Sequence, residues 1–198
     1  FMSEQDKERY SYYISEYAGR VAVYELSQEL NFTSTFTSFS GKDGYDGIIL
    51  SGNNEYLTEI KMRDYNLTNR FINEGAIMEK YKVNNLQLSA TNRNSKAYII
   101  NIWKPNVVTI WDITNSKNIK TGNKKRNDTN STHRYYSTAT TSSEHYLLNV
   151  HETQIYKSKI PNLYNYAIEK AKSVISIRFD NPEIKKIDIA KYKYKSCN

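Results

Sequence analysis

Apolar residues recur over residues 8–30 at the spacing of an α-helix. At about 100° per residue, Ile14, Tyr17, Ala18, Val21, Ala22 and Leu26 fall on one broad face. Glu25 lies in the middle of that stripe, while Glu16 falls opposite, toward solvent. A carboxylate in a buried stripe is costly unless something pairs with it, so a ligand role is one explanation for Glu25. Phe32 to Ser40, rich in Thr and Phe, suits a strand. Tyr45 to Leu50 reads as a second strand, Ser51-Gly52-Asn53-Asn54 as a hairpin turn, and Glu55 to Arg63 as a third strand. Helical spacing is expected over about Thr68 to Lys82, with Phe71, Ile72, Ala76, Ile77 and Met78 facing inward. Ala97 to Trp103 and Val107 to Ile113 are apolar strands around Lys104-Pro105-Asn106, and both tryptophans, Trp103 and Trp111, read as core.

The pattern then breaks. Residues 115–143 are polar, basic in the first half and Ser/Thr-rich in the second, and read as a long surface loop. Tyr146 to Val150, a helix at about Pro161 to Lys172, a strand at Val174 to Phe179 and a strand-like tail to Lys195 complete the expected elements. No internal repeat is visible. At 198 residues the chain is expected to form one domain, with a core at about 10–113 and a C-terminal helix and strands at 146–195.

Composition narrows the function. Lys and Arg number 28 against 21 Asp and Glu, a formal charge of +7, and a basic surface attracts polyanions, nucleic acid first among them. No apolar run approaches the ~18–20 residues that span a bilayer, and Phe1 to Tyr10 is charged and lacks an apolar signal region. No membrane partner and a cytoplasmic location are therefore expected. The single cysteine, Cys197, excludes a disulfide framework and a cysteine zinc site, and His133, His145 and His151 have no metal-binding spacing. Ser40-Gly41-Lys42-Asp43-Gly44 lacks the Gly-Lys-Ser/Thr ending of a phosphate loop.

The informative stretch runs from Asp46 to Lys61. Side chains alternate faces along a strand, so Glu59 and Lys61 share a face. If the turn centres on Gly52-Asn53, Asp46 lies directly opposite Glu59, with Cβ atoms ~5 Å apart. Two carboxylates that close repel, and one gains a proton unless a cation sits between them. A hard divalent cation such as Mg²⁺ takes oxygen ligands and keeps several waters. A water bound to it is more acidic and can attack phosphorus, and a neighbouring lysine can stabilise the charge that develops.

The order of a helix with an inward Glu, then Asp46, then Glu59-Ile60-Lys61 on the partner strand, then a helix, resembles the PD-(D/E)XK nuclease superfamily. Tyr45 stands where that pattern often has proline. The resemblance covers roughly residues 10 to 113 and implies a restriction-endonuclease-like αβββαβ core, an α/β fold with a mixed central sheet flanked by helices. It implies a Mg²⁺- or Mn²⁺-dependent deoxyribonuclease, by default an endonuclease, in a cytoplasmic, bacterial or phage-like setting. DNA would be its partner, and pairing as a homodimer is an analogy with relatives that cut both strands. Carried over, Asp46 and Glu59 are metal ligands, Lys61 is the catalytic lysine, and Glu25 is the helix acid, with Glu29 and Glu16 as alternatives. Arg63 would extend the basic edge of the patch. Lys80 and Lys82 late in the second helix, and Lys124, Lys125 and Arg126 in the loop, are candidate DNA contacts. The rival class is a non-catalytic nucleic-acid-binding or assembly protein on the same fold.

Overall fold

The computed structural model of the chain describes residues 4–37, 43–68, 75–115, 119–122, 145–148 and 153–179. Its elements are α1 (Glu4–Leu30), β1 (Thr33–Phe36), β2 (Gly47–Ser51), β3 (Asn54–Asn66), β4 (Ala76–Glu79), α2 (Lys80–Asn92), β5 (Lys96–Lys104), β6 (Val107–Asp112), β7 (Ile119–Gly122), β8 (His145–Leu148), β9 (Gln154–Lys157) and α3 (Leu163–Phe179). The central sheet has the order β1-β2-β3-β5-β6-β9. Only β3 and β5 pair in parallel, joined through β4 and α2, and every other pairing in it is antiparallel. A second sheet, β4-β8-β7, stands beside it. This is an α/β fold with a mixed central sheet, as expected. Among the described residues, no helix is long and apolar enough to cross a membrane.

Alternation along the strands builds two cores. Ile60, Ile100, Ile102 and Val108 face α1 and α3, where Ile14, Ala18, Val21, Leu163, Ala167 and Ala171 close over them. Leu57, Ala97, Ile99, Trp103 and Trp111 face the other side and pack with Val83, Leu86 and Ala90 of α2 and with Ala76, Met78 and Leu148 of the small sheet. At ~25 cal/mol per Å² of apolar area buried, these two cores supply the main driving force for folding. Both tryptophans are core, as expected.

The second helix is displaced from its expected place. Ala76–Glu79 is a strand and the helix begins at Lys80. Ala76 and Met78 are buried while Ile77 and Glu79 are partly exposed, a period of two, and the helical spacing starts only at Val83, Leu86, Ala90. Phe71 and Ile72 lie outside the described residues. The segment read as a strand at Val174 to Phe179 continues α3. Within the expected loop, Ile119–Gly122 forms β7, paired with β8. Lys124, Lys125, Arg126 and the tail beyond Phe179 lie outside the described residues.

Candidate active site

The hairpin β2–β3 sets the register of the site. Gly47 pairs with Thr58 and Ser51 with Asn54, so Gly52 and Asn53 form the tight turn and Asp46 stands opposite Glu59, as the sequence predicts. Just ahead of β2, the Asp46 N–H donates to the Thr58 carbonyl at 2.8 Å. Its carboxylate in turn accepts from the Ile60 N–H, Oδ2 at 2.7 Å. Asp46 is thus clamped to β3 through both backbone and side chain.

Glu59 and Lys61 lie on the α2 side of the sheet, alternating with core positions. The Glu59 side chain is 6% exposed, and its Oε1 receives two ammonium groups, Lys61 Nζ at 2.9 Å and Lys82 Nζ at 3.0 Å. Lys82 comes from the first turn of α2 and also lies 3.7 Å from Glu79. On its other side Lys61 lies 3.9 Å from Glu16 Oε1. The α1 helix can approach β3 this closely because residue 19 is glycine: a Cβ there would sit 2.8 Å from Ile60 Cγ2. Gly44 does the same for the segment leading to Asp46, where a Cβ would meet Ser89 Oγ at 2.7 Å and the Asn85 carbonyl at 3.0 Å on α2.

These elements enclose an open cavity of about 160 Å³. Its walls are Tyr12, Glu16 and Arg20 of α1, Thr37 and residues 43–46 ahead of β2, Glu59 of β3, and Tyr81, Lys82 and Asn85 of α2. Arg20 is buried and donates to the Thr37 carbonyl at 2.6 Å.

Electrostatics split the acids. Burial raises the Asp46 carboxyl, and Glu59 and Glu16 raise it further, to about 8. Burial also opposes charge on Glu59, but Lys61 and Lys82 outweigh it and hold Glu59 at about 2. Burial likewise opposes charge on Lys61, and Glu59 reverses the balance, so its ammonium is raised. Lys82 follows the same pattern and is held well above its ordinary value by Glu59, Glu16, Glu79 and Asp46. Burial, followed by the nearby Glu16, raises the Tyr12 hydroxyl. For Arg20 burial wins and the guanidinium is lowered, against Asp46 and Glu16.

The structure brings Asp46, Glu59, Lys61 and Lys82 together and leaves Glu25, Arg63 and Lys80 out. Glu25 accepts a hydrogen bond from the Tyr166 hydroxyl of α3 at 3.0 Å and does not line the cavity. The acid that α1 contributes is Glu16, nine residues earlier and so on about the opposite side of the helix. The stripe centred on Glu25 faces α3, and the sheet covers a second flank, so the side expected to face solvent turns toward the strands. Glu29 is also elsewhere, accepting from Tyr156, Ser158 and the Lys159 N–H. Arg63 does not extend the patch: its guanidinium donates to Asn101 Oδ1 at 3.0 Å and the Ile77 carbonyl at 2.9 Å, and it lies 5.9 Å over Trp103. Lys80 lies 6.0 Å over the Tyr146 ring rather than in the cavity. Tyr12, Arg20 and Tyr81 line the cavity without having been singled out, because nothing in one helix's own pattern shows which neighbours it meets.

Among the described residues, no three His, Cys, Asp or Glu side chains stand in ready coordination of a metal. The acid pair is instead met by lysines on Glu59, while burial and the neighbouring carboxylates favour the protonated form of Asp46. No family model matches this chain, and no curated protein matches it significantly.

Proposed function

We propose that the protein is a divalent-cation-dependent nuclease of the PD-(D/E)XK type that hydrolyses DNA phosphodiester bonds, acting as an endonuclease. The observation that carries this reading is the convergence of Asp46, Glu59 and Glu16 on one open cavity, with Lys61 and Lys82 both on Glu59. The chain order supports it: helix, three strands and, after the short β4, a helix and a strand returning parallel beside β3.

The donor set fits Mg²⁺ or Mn²⁺. It is all oxygen, and burial first, then the Glu59 and Glu16 carboxylates, push the Asp46 carboxyl up to about 8, a load that a cation would relieve. Asp46 and Glu59 would hold the cation, with Glu16 in the same cavity. When bound, it supplies neutralisation of the phosphate and a more acidic water.

The chain's own groups do the rest. Glu59 gathers the Lys61 and Lys82 ammonium groups at one oxygen, where either can turn to a phosphate oxygen and stabilise the charge that develops there. Arg20, on the cavity wall, offers a planar donor to the same phosphate. As the water oxygen would bond to phosphorus, it would release a proton to solvent, the ester P–O bond would break, and the leaving oxygen would take a proton from an ammonium or from solvent.

The test is a panel of single-stranded, duplex and branched DNA with Mg²⁺ or Mn²⁺. Cleavage should require the cation and fall by about 100-fold or more in Asp46→Ala and Lys61→Ala. The reading fails if no DNA is cut, or if both variants cut as well as the parent. The double lysine pairing of Glu59 favours one rival, a DNA binder that never loads a cation; such a protein would bind with steep salt dependence and show no cation effect.

A further inference from the structure

Resting on the nuclease reading, we infer that the cavity takes an unpaired strand, with a base stacked on Tyr81, in preference to smooth duplex. The cavity has a floor and a rim. Glu59 on the floor is 6% exposed and Lys82 beside it 17%, whereas Tyr81, the residue before Lys82, is 43% exposed on the wall. Tyr12 of α1 and Tyr45 ahead of β2 line the same space, so three tyrosines surround the acids.

Lys82 and Tyr81 adjoin in sequence and line the same cavity, so a strand whose phosphate meets Lys82 has its bases within the walls that carry Tyr81. In a smooth duplex that base is stacked on its neighbours and paired inward, so the exposed ring has nothing to receive. In a single strand the base is free to turn out, and every base offers a π-face, so an aromatic ring captures it without reading sequence. The recess adds to this preference: α1 and α2 wall the acids on two sides, and a flexible strand threads between them more readily than a rigid cylinder. Lys82 and Arg20, which line the cavity, supply the phosphate contacts.

The experiment pairs a binding readout with a cleavage readout. A fluorescein-labelled single strand of mixed sequence and its blunt duplex are titrated by fluorescence anisotropy in EDTA, using the parent, Tyr81→Ala and Tyr81→Phe. The same DNAs are then cut with Mn²⁺, with Asp46→Ala as control. We expect the single strand to bind about tenfold more tightly than duplex. Tyr81→Ala should lose about tenfold for single strand and little for duplex, and Tyr81→Phe should behave as the parent. Duplex bound and cut as well as single strand, or a Tyr81→Ala protein that binds single strand normally, overturns the stacking site while Asp46-dependent cleavage leaves the nuclease reading intact. Tyr81-dependent binding without cleavage of any DNA overturns the nuclease reading and leaves the stacking site standing.

Discussion

Two carboxylate clusters lie near opposite halves of α1, and they are built on different terms. At its C-terminal end Glu29 accepts from neutral donors: the Tyr156 hydroxyl at 2.7 Å, the Ser158 hydroxyl at 2.6 Å and the Lys159 N–H at 3.0 Å. Burial opposes its charge, but those hydrogen bonds together outweigh it and the carboxyl is lowered. The ring of donors ties α1 to the segment between β9 and α3, and it asks for nothing more. In the N-terminal half, Glu16 shares a cavity with Asp46 and Glu59, where the Ile60 N–H is a neutral donor to Asp46 but Glu59 is balanced by two ammonium groups. A closed ring of hydrogen bonds marks a joint. Crowded acids beside ammonium groups in an open cavity are the pattern of a candidate functional site.

The sharpest way to break that contrast is to remove one member from each cluster. Asp46→Ala should cost about 100-fold or more in cleavage while the protein stays folded, since the carboxyl is only a small part of the β2–β3 pairing. Glu29→Ala should do the reverse. It leaves the Tyr156 and Ser158 hydroxyls and one N–H to water and should destabilise the fold by about 2 kcal/mol, lowering Tm by roughly 4–8 °C with cleavage unchanged. A Glu29→Ala protein of normal Tm and lost activity would dissolve the distinction.

A pH series tests the electrostatic half of the contrast. Asp46 is raised to about 8, so the folded state binds a proton that the unfolded state has released between about 4 and 8. In the cation-free protein its contribution therefore lowers stability as pH rises through that window. Glu59, held at about 2, contributes in the opposite sense: its stabilisation is present above about 4.5 and is lost as pH falls toward 2. Because a cation must displace the Asp46 proton, Mn²⁺ affinity should climb with pH, by up to about tenfold per unit, and level off above about 8. Isothermal titration at several pH values checks this, and a flat profile would contradict it.

The smallest effect is expected at Glu25. Its one hydrogen bond, to the exposed Tyr166 hydroxyl, lies away from the cavity, so Glu25→Ala should change stability by under about 1 kcal/mol and leave cleavage untouched.

The hairpin was the most legible part of the sequence. Period-two alternation and the two-residue Gly52-Asn53 turn fix its register, and register alone puts Asp46 opposite Glu59. Glu16, open only as an alternative, stood behind Glu25 because a helical stripe implies one buried face, whereas α1 is covered by α3 on one flank and by the sheet on another; a buried position on the second flank need not be apolar if the strands offer it Lys61. The start of α2 was hidden because Ala76, Ile77 and Met78 suit a strand or a helix equally, although Val83, Leu86 and Ala90 carry unambiguous helical spacing. That shift places Lys82 on the first helical turn, beside Glu59, instead of late in a solvated helix. Arg63 shows the converse: a basic residue on the expected face is consumed by Asn101 and a backbone carbonyl brought by β4, a partner that strand periodicity does not reveal.

The central claim is that the cavity lined by Asp46, Glu59 and Glu16 takes a divalent cation, which Asp46 helps to hold. The most direct measurement is the thermal shift on adding Mn²⁺ to the parent protein and to Asp46→Ala at pH 8. Tm of the parent should rise with Mn²⁺ as RT ln(1 + [L]/Kd) requires, and that rise should vanish in Asp46→Ala. A parent protein whose Tm does not respond to Mn²⁺, or an Asp46→Ala protein that gains as much as the parent, would contradict the account.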